Sequence, residues 1–75
     1  MMVDPEDIRR SLRTAEEHVR LGAARIASQK AVVGLFQARG HDATMASQIL
    51  DTFEQVQLTY IAARDRFAAQ LAATG

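Results

Sequence analysis

The sequence predicts an all-α fold, a single antiparallel hairpin of two long helices, expected to dimerise into a four-helix bundle. Three observations carry this expectation. Apolar residues recur in alternating steps of three and four on both sides of one break near Gly40. The only proline is Pro5, so nothing interrupts either periodic stretch. The 75 residues include no cysteine, which removes disulfides and thiolate zinc sites as supplements to a small core and leaves self-association.

The first helix is expected over about residues 5–39. Asp4 suits the N-cap and Pro5 the first helical position. Glu6 and Asp7 follow in the first turn, where acidic groups complement the helix dipole. Asp7 stands where a capping box would return a carboxylate to the cap, and Val3 and Ile8 are spaced for a hydrophobic staple. The seam runs Ile8, Leu12, Ala15, Val19, Gly22, Ile26, Gln29, Val33 and Phe36, with Gln29 its one polar member. Gln29 either sets register as a buried amide or reaches out to water. Arg39-Gly40 closes the helix, glycine suiting the left-handed position past the end.

A turn over residues 40–42 and a second helix over about 43–73 complete one domain, residues 1–75. Asp42 is the expected cap of the second helix, with Thr44 as the substitute. The apolar steps then run Ala46, Ile49, Phe53, Val56, Tyr60, Ala63, Phe67 and Gln70. So short a turn sets the helices antiparallel. Matching the two seams pairs residues whose numbers sum to about 82, which puts Tyr60 opposite Gly22 and Phe67 opposite Ala15.

Each helix has more apolar surface than this seam covers. Leu21, Val32 and Leu35 on the first helix and Leu50, Ile61 and Leu71 on the second form the expected oligomer interface. Left in water, six such side chains would each forfeit about 1.5–3 kcal/mol, comparable in sum to the stability of a small domain. By heptad phase, however, the two sets flank opposite sides of the seam. The hairpin is therefore rotated from this register or exchanged between chains.

The formal net charge is zero, so no overall basic pull draws the chain to nucleic acid or anionic lipid. Residues 1–40 carry seven basic against five acidic side chains, and residues 41–75 carry two against four, which favours placing the first helix beside the second. Arg9, Arg10, Arg13 and Arg20 form a basic stripe, of which Arg9, Arg13 and Arg20 are the candidate phosphate contacts. Acidic neighbours favour a solvated face of ion pairs instead, expected as Glu6–Arg10, Arg13–Glu17 and Glu16–Arg20. No basic-then-apolar leader and no membrane-length apolar run is present, so the expected location is cytoplasmic.

Candidate chemistry is sparse. His18 and His41 lack a second ligand at helical spacing, and Glu16-Glu17 and Asp51/Glu54 lie at exposed positions. No nucleophile–base set or phosphate loop occurs, so no catalytic residue, metal or cofactor is expected. An enzyme of the all-helical chorismate-mutase kind would need Arg25, Gln29, Lys30 and Arg64 to converge on an anion.

The stretch LFQARGHDATMASQILDTFEQVQL with the later ARDRF carries Gly40-His41-Asp42, Leu50-Asp51-Thr52-Phe53-Glu54 and Arg64-Asp65-Arg66. With Gln29, these features resemble a group of small helical proteins of alphaproteobacteria, which implies the hairpin and carries no activity to transfer. In architecture the chain is also similar to the Rop-like plasmid regulators, RNA-binding dimers of hairpins, although none of its residues match their RNA contacts. The expected function is thus a non-enzymatic, homo-oligomeric protein-interaction module, its partner a second copy and possible further partners other proteins. The alternative is a Rop-like nucleic-acid-binding regulator using the arginine stripe.

Overall fold

A computed structural model describes residues 3–74. Its elements are α1, Pro5–Ala38, and α2, Thr44–Thr74, which pack along their length as a hairpin 57 Å long and about 15 Å across. Among the described residues there is no strand.

Local chemistry accounts for both ends of α1. Asp4 accepts a hydrogen bond from the Glu6 N–H at 2.9 Å, which satisfies one of the orphan donors at the start of α1. The capping box does not form, because Asp7 pairs with Arg10, one turn onward. At the other end, Gly40 takes φ +69°, a left-handed value that disfavours any side chain. Its N–H donates to Gln37 O and the His41 N–H donates to Phe36 O, the paired closure of a Schellman motif. The Phe36 and His41 rings meet edge-on across it at 6.1 Å.

The regular part of α2 begins one residue later than expected, at Thr44. Asp42 still supplies the cap, since its Oδ1 accepts from the Thr44 N–H at 2.9 Å and from the Thr44 hydroxyl at 2.7 Å. The hydroxyl first, and then the N–H, hold the Asp42 carboxyl below its ordinary pKa. A carboxyl depressed in the fold contributes stability that is present above its unfolded value near 3.8 and lost as pH falls through the folded value. Asp42→Asn should therefore flatten the part of the acid-unfolding curve below about pH 4, measured by circular dichroism at 222 nm. An unchanged curve would mean that the cap contributes nothing.

The seam of α1 is the expected one as far as Val33, whereas Phe36, next to the turn, is exposed where α2 has not yet begun to cover it. Ile8, Ala15 and Gly22 are buried, and Leu12, Val19, Ile26, Gln29 and Val33 are half-buried. The seam of α2 corrects the expectation. Ile49, Val56 and Gln70 face outward, and Leu50, Gln57 and Leu71 take the inner phase beside Ala46, Phe53, Tyr60 and Phe67. Two side-chain amides account for this rotation. Gln57 Nε2 donates to Val19 O at 2.8 Å, and Gln29 Nε2 donates to Ala46 O at 2.9 Å. Each ties one helix's side chain to the other helix's backbone, and the residue numbers sum to 76 and 75 rather than about 82. Gln29 is thus turned inward.

The partner of Gly22 also changes. Gln57, only 8% exposed, fills the space that glycine leaves, and a Cβ at Gly22 would overlap Gln57 Oε1 and approach Cδ to 2.8 Å. Tyr60 instead lays its ring against His18, with centroids 4.9 Å apart. Buried apolar residues are few and mostly small: Ile8, Ala15 and Ala46. Among the described residues, no large side chain is completely enclosed.

Candidate interaction surface

The six residues expected at an interface divide in two. Leu21, Val32 and Leu35 are exposed on α1, at 39%, 37% and 47%. Leu50, Ile61 and Leu71 are half-buried within the single chain, because the rotation of α2 has carried them toward the seam. In their place that rotation exposes Met45, Ile49 and Val56.

This exchange removes the conflict in the sequence reading. At about 100° per residue, Leu21, Arg25, Val32 and Leu35 project to one side of the α1 seam, as do Met45, Ile49, Thr52 and Val56 on α2. Because the helices run in opposite directions, both offsets fall on the same side of the hairpin. The cleft lined jointly by Gly22, Arg25, Thr52, Phe53, Val56 and Tyr60 marks that side directly. From its middle to the turn, one face of the rod is therefore largely apolar across both helices. On the far side Leu58 is an isolated exposed apolar residue among Glu54, Asp65 and the alanines of α2.

The arginine stripe lies elsewhere. Arg9 pairs with Glu6 and Arg20 with Glu17, each three residues apart rather than at the expected spacing of four. The Arg20 bond lowers the Glu17 pKa, and Glu17 in turn raises that of Arg20. Two of the three candidate phosphate contacts are thus engaged by the chain's own carboxylates, and Arg13 is exposed on the same outer side. Such exposed pairs contribute little to stability.

The four residues needed for an anion site do not converge. Gln29 is committed to Ala46 O, Arg64 to Asp65 at 3.0 Å, Lys30 is exposed, and Arg25 lines the small apolar cleft. Among the described residues no group of three His, Asp or Glu side chains is placed to hold a metal. Nor is any described helix long and apolar enough to cross a membrane.

No family model matches the sequence, and no curated protein or solved structure is significantly similar to it. The chemistry of the surface is what remains to indicate function.

Gln57 is the residue that sequence reasoning missed. It falls beside Val56, which looked the better seam residue because it is apolar. A glycine in mid-helix facing an unassigned amide was the available signal, since a packed seam must fill the space above Gly22.

Proposed function

We propose that this chain acts by helix-to-helix association, as a homo-oligomeric module with no chemistry of its own. In its simplest form two hairpins make a four-helix bundle. The observation that carries the reading is the apolar face: exposed Leu21, Val32, Leu35, Ile49 and Val56 lie on one side of a hairpin whose buried apolar residues are few and mostly small. Surface area supports it. A compact monomer of 8.2 kDa exposes about 4,500 Å², whereas this chain exposes 5514 Å². The surplus, roughly 1,000 Å², is close to the ~800 Å² that each partner contributes to a standard interface.

Light scattering coupled to size exclusion tests the proposal at micromolar concentrations. The expected mass is that of two chains, with a thermal midpoint that rises with protein concentration. A folded species of one chain's mass, melting cooperatively at a concentration-independent temperature, would defeat it.

A further inference from the structure

The apolar face protrudes at one end and is hollow at the other. Leu21 and Val56 share a level near the middle of α1, judged from the neighbouring Gly22–Gln57 and His18–Tyr60 contacts. On the turn side of that level stand exposed Val32, Leu35, Met45 and Ile49. On the terminal side, short side chains at Ser11, Thr14, Ala15 and Ala63 lie between His18 and Phe67 and, with Arg10 at the outer edge, line a groove of about 330 Å³. The spacing is symmetric. Ile49 precedes Val56 by one heptad and Ala63 follows it by one heptad, about 10 Å to either side.

Resting on the self-association proposed above, we infer that the occupant of this face is a second copy turned end for end. The two-fold axis crosses the face at Leu21 and Val56, and each copy's Ile49 enters the groove beside the partner's Ala63. In this arrangement α2 runs antiparallel along the partner's α2. Val56 meets its own equivalent, and Thr52 lies beside the partner's Tyr60. The large side chains of one half thereby fill the hollow of the other, as close packing requires.

The alternative pairing, with both turns at one end, sets protrusion against protrusion. Val32 and Leu35 would face the partner's Met45 and Ile49, while two grooves would face each other unfilled. A staggered pairing would overlap only part of the rod and bury less than the surplus surface. End-for-end overlap uses the whole face.

The natural absence of cysteine makes cross-linking decisive, because any introduced thiol is unique. In the full chain, Val56→Cys is expected to form a covalent dimer under mild oxidation, read by non-reducing gel and intact mass. The double variant Ile49→Cys/Ala63→Cys is expected to do the same. Its two thiols are 14 residues apart on one helix, about 21 Å, too far to bridge within a chain. Ile49→Cys and Ala63→Cys alone should cross-link at least about tenfold more slowly, since each then lacks a thiol within reach. If light scattering shows a dimer and neither design cross-links, self-association stands and this arrangement falls. A monomer at every concentration removes both.

Discussion

Val56→Glu is expected to raise the dimer dissociation constant by a factor on the order of 100, corresponding to about 3 kcal/mol. Val56 is 40% exposed in the single chain and stands where the proposed axis crosses the face, so one substitution acts twice. Each copy loses part of the burial of a valine, and two carboxylates are brought face to face in a partly dry setting. Because the isolated hairpin encloses so little, the variant's thermal midpoint should also fall, and should climb again as protein concentration is raised. Leu58→Glu is the control, at a more exposed apolar residue on the opposite face. It should leave mass and midpoint unchanged. Sedimentation equilibrium with circular dichroism melts at two concentrations measures both effects. A Val56→Glu protein as dimeric as the parent would remove this face from the account.

Gly22→Ala sets two opposed effects against each other, and packing is expected to win. Alanine is favoured over glycine in a helix interior by about 1 kcal/mol. Here, however, the added methyl overlaps the Gln57 amide and must displace it. Displacement breaks the bond to Val19 O and leaves a buried amide without its partner, at a combined cost of about 2–4 kcal/mol. The net expectation is a loss of roughly 1–3 kcal/mol, or several degrees in thermal midpoint for a chain of this size. Gln57→Ala added to Gly22→Ala should recover most of that loss, because the two alanines can pack without overlap. Chemical denaturation of the two single variants and the double variant gives the coupling directly. A Gly22→Ala protein more stable than the parent by the helix-propensity gain would show that Gln57 does not occupy the seam.

Much of the hairpin was legible in the sequence because its causes are local. Asp4, Pro5 and Glu6 specify where α1 begins through backbone donors within one turn. Gly40 specifies where it ends, because the left-handed residue there requires no knowledge of any distant contact. The seam of α1 was legible for a related reason: Ile8, Leu12, Ala15 and Val19 offer only one apolar phase.

The rotation of α2 was not legible, and the candidate face depends on it. Two ladders of steps of three and four run through the second half of the chain, sharing Ala46, Phe53, Tyr60 and Phe67. One adds Ile49, Val56, Ala63 and Gln70, and the other adds Leu50, Gln57, Arg64 and Leu71. Periodicity weighs these nearly equally, and hydrophobicity prefers the first because Gln57 and Arg64 are polar against Gln70 alone.

The sequence by itself determined the two rods, the turn between them and an excess of apolar side chains over what one seam can hide. Tertiary structure alone decided which of those side chains lie outside. The choice rests on amide groups of Gln29 and Gln57 finding backbone carbonyls on the opposite helix, and on the space that Gly22 leaves open. Such contacts join residues 17 and 38 positions apart, so no window of local pattern contains them.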